Sequence, residues 1–528
     1  MSASAYPSRI IAINTGSRYV STVVSTAVLF FLTPFLIRTL GKELLGLQTL
    51  AGQALQFVGL LGASLSISYN RSATTHYSRG EFAVMNEDLG TGFWFSVFTG
   101  MIFAVGSLVV ALFAQPFFSL SDRIVPVARM VILITGLSTS LSILSDVWLS
   151  PLYMAQRFFW REIANIIAVV GSAIAVVIAF AVGHPSIIVW VLLSNGFRLI
   201  IGYALLIPVA QRLVPEFRPN FRLTNIYARC RKLMAFGIFG FIGGLGYLLY
   251  YATDSILITN LHGLGTPMIV DYNVGQRWGP MVRMMVLGFA GTLTPALTAL
   301  VATGEQARLH RAVLAATRYS LALALFPCVV LSVYSAPLLA TWVGPDFVAR
   351  SSPVLVITML GTLMSVPAIV GYEALVAYGR IGLAATASLV GGVLNVLLGV
   401  VFVKYLKLGL LGVALASFVT LSCRNALFSP ILLLRVSKLG PKAYFGEGHL
   451  RPLLGALPLL LFAFMLRSFW APDRLWLVFL HFASCLLVYA FSVWFLTFDH
   501  ADRNRMSELT KEFLQKFRGL FPNAEMRA

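Results

Sequence analysis

The chain has 528 residues and a net charge of +19, yet only 11% of its residues are charged and the mean hydropathy is +0.84. So few charged side chains cannot solvate a water-facing surface of this size, which excludes a soluble enzyme or soluble binding domain. The basic residues lie in short intervals between apolar runs rather than on one module with interleaved aromatics, which argues against a nucleic-acid partner.

In chain order the apolar runs predict fourteen spans. The first twelve are 10–39, 45–70, 90–114, 126–150, 160–182, 186–208, 233–261, 269–303, 313–341, 353–378, 381–404 and 409–434, and a final pair follows at 451–469 and 475–497. Each is long enough to cross roughly 30 Å of hydrocarbon as a helix. The runs are unbroken rather than alternating, so helices are expected and not barrel strands. The fold class is an all-α polytopic membrane protein.

The domains expected are an N-lobe at 1–208 (spans 1–6), a basic cytoplasmic loop at 209–232, and a C-lobe at 233–434 (spans 7–12). Spans 13 and 14 lie at 435–497, and a cytoplasmic tail at 498–528. From Asp502 to Phe521 the apolar residues recur at helical spacing among Lys and Arg, the pattern of a basic amphipathic helix lying on a membrane surface. With the N-terminus inside, about two dozen Lys and Arg fall on inside loops and fewer than ten on the other side. That asymmetry places both termini in the cytoplasm of a bacterial-type inner membrane and accounts for the net charge.

Motifs for enzymatic chemistry are absent from the sequence: there is no HExxH, no GxSxG and no phosphate-binding loop, so an enzyme is not expected. Cys230, Cys328, Cys423 and Cys485 lack metal-ligand spacing and read as small apolar residues, and no metal is expected. The cluster Gly237, Gly240, Gly243, Gly244 and Gly246 falls inside a span and reads as close helix packing.

Polar residues inside spans are expensive and are expected to face a partner or a cavity. In span 1, Asn14, Arg18, Ser21 and Ser25 share one helical face. In span 8, Asn273, Gln276, Arg277 and Arg283 fall at about 0°, −60°, +40° and −80° if each residue advances roughly 100°, making one cationic stripe. These two faces are expected to line a water-filled cavity of positive potential. Asp254 is expected to pair with Arg277 or Arg283, as a structural bridge or an ion-coupled switch. Asp146 lies near a span end, while Arg198, Arg318 and Arg424 are expected to snorkel to headgroups.

An internal repeat relates the halves. Thr33 to Gly41, followed by Arg79-Gly80-Glu81, parallels Asp254 to Gly263, followed by Thr303-Gly304-Glu305. Six spans separate the copies, so both have one orientation, the arrangement of transporters that rock two lobes about an axis along the membrane normal. The repeat also places Gln53 near the positions of Gln276 and Arg277, adding it to the cavity.

Asn14-Thr-Gly16, then TPFLIRTLGKELLGLQTL with Gly46, and then GLLGASLSISYNRSATTHYSRGE resemble the polysaccharide-transporter branch of the multidrug/oligosaccharidyl-lipid/polysaccharide exporter superfamily, O-antigen-type flippases above all. The resemblance implies two six-helix lobes in a V shape plus a C-terminal helix pair. It implies a flippase that carries a polyprenyl-diphosphate-linked oligosaccharide, an O-antigen or exopolysaccharide unit, from the inner to the outer leaflet by alternating access. Arg18, Arg277 and Arg283 are the positions suited to meet the diphosphate. Membrane lipids and a polysaccharide polymerase or glycosyltransferase are the partners expected. No cofactor is expected. If an opposing flow of H⁺ or Na⁺ contributes, Asp146 and Asp254 are the candidate carriers. Three alternatives stand beside this reading: a lipid-linked peptidoglycan-precursor flippase, a multidrug exporter with an acidic cavity, and a non-transport polysaccharide polymerase or scaffold.

Overall fold

The computed structural model describes residues 8–183, 185–222, 226–261, 264–290, 293–500, 502–504 and 507–508, and it contains no strand among them. Helix α1 (Ser8–Ser78) is followed by α2 (Phe82–Leu112), α3 (Val125–Trp148), α4 (Phe159–Val182) and α5 (Ile187–Ile200). Next come α6 (Ile226–Tyr251), α7 (Thr253–Asn260), α8 (Thr266–Gln276), α9 (Trp278–Ala290) and α10 (Thr294–Ala302). The chain continues through α11 (Gln306–Val333), α12 (Val348–Ala377), α13 (Ile381–Val400), α14 (Gly409–Ser422) and α15 (Ser429–Ser437), and closes with α16 (Arg451–Phe469) and α17 (Leu475–Ser492).

Twelve helical stretches among the described residues are long and apolar enough to cross a membrane. The difference from fourteen has two local causes. Spans 1 and 2 are continuous in α1, whose single non-helical residue is Gly41 at φ 78° and ψ 166°. Unbroken, its 71 residues would extend about 107 Å, more than three times the hydrocarbon thickness. The chain turns back at Gly41 instead, because Asn14 on one arm and Ser66 on the other both reach the segment 146–159. Span 8 is divided among α8, α9 and α10, each too short to cross alone. Pro280 lacks an N–H and its ring conflicts with the carbonyl four residues earlier, that of Gln276, where α8 stops.

Large apolar side chains remain outward, among them Phe31, Val182, Phe469 and Leu487, a surface suited to lipid rather than water. The chain is a multi-pass membrane protein. Hydroxyls inside the helices bond back to their own backbone, as Thr99 does to Phe95 and Thr362 to Thr358.

Two compact units divide the described residues. The first comprises the chain up to Gln276 together with Arg380–Arg424; the second comprises Arg277–Gly379 and the chain from Asn425. Compactness therefore groups 233–276 and 380–424 with the N-terminal helices. The lobes expected from the repeat concern which parts move together, a separate property.

Small residues set the helix crossings of the first unit. A Cβ on Gly136 would lie 2.2 Å from Ser107 Cβ, and Ser140 Oγ donates to Gly100 O at 2.7 Å, so α2 and α3 pack closely with only small side chains between them. Within the glycine cluster the packing reading holds at two positions. A Cβ on Gly246 would lie 2.5 Å from the Ser388 carbonyl carbon of α13, and one on Gly244 would lie 2.4 Å from Leu60 Cδ1. Gly240 and Gly243 face open space, and the side-chain position of Gly237 lies outside the described residues. The basic loop is fixed where it is described: Asn86 donates to Glu216 O and accepts from Arg218 N, and Arg229 binds Asp88 at 3.0 Å and also Glu87.

In the second unit Arg318 departs from the snorkelling expectation. It is 5% exposed and pairs with Asp502 at 2.5 Å and Asp499 at 3.4 Å. The start of the C-terminal tail is thereby clasped to α11; the amphipathic pattern beyond residue 508 lies outside the described residues. Removing one partner of a buried pair leaves the other charge unpaired, at a cost of about 3–5 kcal/mol. Arg318→Ala is expected to lower the thermal unfolding midpoint of the protein in detergent markedly. The paired change Arg318→Met with Asp502→Leu is expected to recover most of the loss.

Candidate functional site

The polar face of the first span meets α4. Asn14 Nδ2 donates to Gln156 O at 2.8 Å, and its Oδ1 accepts from Phe159 N at 3.2 Å. Asn165 Nδ2, exposed on α4, donates to Ser21 Oγ at 3.0 Å and to Ser25 Oγ at 3.3 Å. Three of the four expected cavity residues of this span are therefore engaged in a helix seam. Arg18 lies on the same face but is exposed, and its guanidinium makes no hydrogen bond or ion pair among the described residues. A guanidinium is costly to expose to acyl chains. Asn165 was not anticipated; as a lone amide within the apolar run 160–182, it was a signal in plain view.

Asp146 ends α3 and faces Arg161 of α4 at 3.8 Å, while Arg161 Nη1 donates to Tyr153 OH at 2.6 Å. The ion pair is long and partly exposed, which gives Asp146 a local structural partner. Gln53, also in the first unit, is half-buried, and its Oε1 is buried without a hydrogen-bond partner.

The most unusual group in the first unit is Asp254. It begins α7 and is 1% exposed. Its Oδ2 accepts from Tyr272 OH at 2.6 Å and Gln276 Nε2 at 2.9 Å, two residues one turn apart on α8. Its Oδ1 is buried, with no direct hydrogen-bond partner among the described residues. Asn395 of α13 approaches the same carboxylate and accepts from Ser417 at 3.1 Å and Thr420 at 3.2 Å, both on α14. The Asp254 carboxylate of α7 is thus met by α8 and α13, with α14 holding Asn395 from behind, and these neighbours are neutral. Among the described residues of the first unit, no cationic side chain pairs with it. A carboxylate is costly to bury in its ionised form beside neutral partners. Arg424, expected to snorkel, instead lies 5.9 Å from the centroid of the Tyr250 ring on α6.

The stripe expected along span 8 is interrupted. The helix breaks at Arg277, so a constant 100° advance does not carry the phase of Asn273 and Gln276 across to Arg283. Asn273 bonds back to Ile269 O at 2.8 Å, and Gln276 serves Asp254. In the second unit the Arg277 guanidinium lies 5.5 Å from the Trp342 ring centroid, a cation–π distance, and Trp278 meets the same ring edge-on. A Cβ on Gly279 would come 2.6 Å from Thr358 Cγ2, so the chain just past the break packs tightly on α12. Arg283 is half-buried one turn further along α9.

No family model matches the chain. In sequence it is similar to a Bacillus subtilis (strain 168) protein called Uncharacterized membrane protein EpsK. The two are 24% identical over 447 residues, which cover 84% of this chain and 87% of the relative. In structure it is similar to the lipid II flippase MurJ in an inward closed conformation, with a TM-score of 0.65 and 14% identity over 91% of this chain and 97% of that one. It is also similar to an inward-facing multidrug resistance MATE family transporter of the MOP superfamily, with a TM-score of 0.65 and 13% identity over 79% of this chain and 99% of that one. The all-helical fold is the one these transporters share.

Proposed function

We propose that the chain is a flippase that moves a polyprenyl-diphosphate-linked oligosaccharide, an O-antigen or exopolysaccharide unit, from the cytoplasmic to the outer leaflet of the inner membrane. Its two lobes, 1–208 and 233–434, alternate in access, and both termini are cytoplasmic. The observation that carries this reading is Arg18, exposed on a face whose other polar groups are satisfied by α4. It offers a positive charge where an anionic headgroup would pass, and Arg277 and Arg283 supply the second lobe's charge. The fold, shared with MurJ, supports the choice of a lipid-linked substrate. Enzymes that assemble the glycan on one leaflet and polymerise it on the other are the partners such a cycle requires.

The carboxylate of Asp254 is the coupling site in this reading. It takes up H⁺ or Na⁺ from one side and releases it on the other, so that the ion gradient adds to the membrane potential. That potential contributes about 2.3 kcal/mol per elementary charge per 100 mV.

The test is reconstitution into liposomes with a fluorescent polyprenyl-diphosphate oligosaccharide, translocation being read by quenching from outside. Protein-dependent translocation is expected, with little movement of a glycolipid of equal tail length that lacks the diphosphate. Transport of cationic dyes without lipid translocation would point to the multidrug reading. Rescue of wall synthesis after depletion of a resident peptidoglycan-precursor flippase would reassign the headgroup.

A further inference from the structure

The Leu-Gly pair and Gly46 of the motif LGKELLG have no part in meeting a headgroup, yet they organise one end of the first unit. Gly41 holds a backbone conformation open to glycine alone, at φ 78°. One residue on, Lys42 Nζ meets Asp271 Oδ1 of α8 at 2.6 Å; the Asp271 side chain is fully buried and that of Lys42 is 26% exposed. At Gly46 an added Cβ would lie 1.9 Å from Thr266 O and 2.7 Å from Thr266 C. The second arm of α1 therefore rests on the first residue of α8 with no side chain between them. Nearby, Asn260 at the end of α7 donates to Phe117 O at 3.0 Å and accepts from Ser119 Oγ at 3.2 Å.

We propose that Gly41–Gly46 is a releasable latch on the beginning of α8, shut in this structure, whose opening is a step of the alternating-access cycle proposed above and which rests on that reading. The geometry favours release over permanent attachment. Contact at Gly46 is a smooth backbone groove, so separation requires no interdigitated side chain to withdraw. In the ion pair Lys42 is the partly exposed member and can be solvated as the pair parts, while the fully buried Asp271 sets the energy that opening costs. The pivot lies next to the contact, since Gly41 is the one residue of α1 outside helical geometry. By contrast, the crossing at Gly246 has α13 backbone on one side and the bulk of Leu249 wedged against Gly392 on the other, a locked contact.

The test uses the full chain in liposomes without any lipid-linked substrate, so it reads opening whether or not the flippase assignment holds. A cysteine placed at Thr266, in a background lacking the native cysteines, is labelled with a membrane-impermeant maleimide. Labelling is expected to be slow with the native latch. It should rise at least tenfold with Gly46→Leu and several-fold with Lys42→Gln, and fall again when Lys42→Asp is combined with Asp271→Lys. Lys42→Gln keeps the proposal exposed to failure should Gly46→Leu not fold. Labelling unchanged in folded Lys42→Gln protein would overturn the latch. A second measurement bridges cysteines at positions 42 and 271 with a short cleavable bifunctional thiol reagent. Translocation should stop and then recover on cleavage; continued translocation by the bridged protein would overturn the latch while leaving the flippase reading intact.

Discussion

Replacing Asp254 with Asn is expected to abolish the response of translocation to an ion gradient while leaving the protein folded. The substitution is nearly isosteric, and one amide orientation keeps an oxygen facing Tyr272 OH, so the bonds that join α7 to α8 are largely retained. What it removes is the negative charge. Among the described residues its hydrogen-bond partners are neutral, so in the proposed coupling role the carboxylate is either protonated or paired with a metal cation. Loss of a charge partner in a buried pair is worth about 3–5 kcal/mol, or roughly two to four orders of magnitude in ion affinity. The measurement is the initial translocation rate in liposomes with an imposed pH or Na⁺ gradient of either sign. In the native protein the rate should depend on the direction of one of the two gradients; in Asp254→Asn it should depend on neither. Equal gradient responses in the two proteins would remove Asp254 from the coupling role. An Asp146→Asn control should leave the response in place, because Asp146 already has Arg161 as its countercharge.

How much of this was legible in the sequence depended on the range of the interaction. The spans follow from runs of apolar residues, and helix is the only way to satisfy their backbone groups in lipid, so composition and length sufficed. The two exceptions were written in single residues whose effect is sterically specific. Gly41 allowed a reversal that kept spans 1 and 2 in one continuous element, and Pro280 broke span 8 near Gln276. Periodicity assumes an uninterrupted helix, so it joined Asn273 and Arg283 into a stripe that the break does not sustain. The partners of polar residues were the least legible. In the sequence Arg318 reads as a snorkelling side chain, because Asp502 lies far away along the chain and beyond the last span. The spacing of Asn14, Ser21 and Ser25 puts them on one face, but the element that face meets is not written in one helix. Tyr272 and Gln276, spaced four apart, share a helical face, but that spacing does not name Asp254 as what they meet.

The same distinction decides what to expect of the arginines. Arg18→Ala is expected to reduce translocation of the diphosphate-linked substrate by one to two orders of magnitude, since a hydrogen bond to a charged group is worth about 1.5–3 kcal/mol. Its stability should hardly change, because the exposed guanidinium has no hydrogen bond or ion pair to lose among the described residues. Asn165→Ala should show the converse balance. It strips the seam of the donor shared by Ser21 and Ser25, so the unfolding midpoint should fall while substrate charge recognition is retained. Lysine at position 18 separates charge from geometry: a point charge still attracts a diphosphate, but the planar fork that pairs with two phosphate oxygens is gone. Partial activity in Arg18→Lys with a strengthened dependence on low salt would therefore identify a direct electrostatic contact. Full activity in Arg18→Ala, measured alongside unaltered stability, would mean that the exposed cation serves only to orient the first span, and the headgroup would then have to be met by the charges of the second lobe alone.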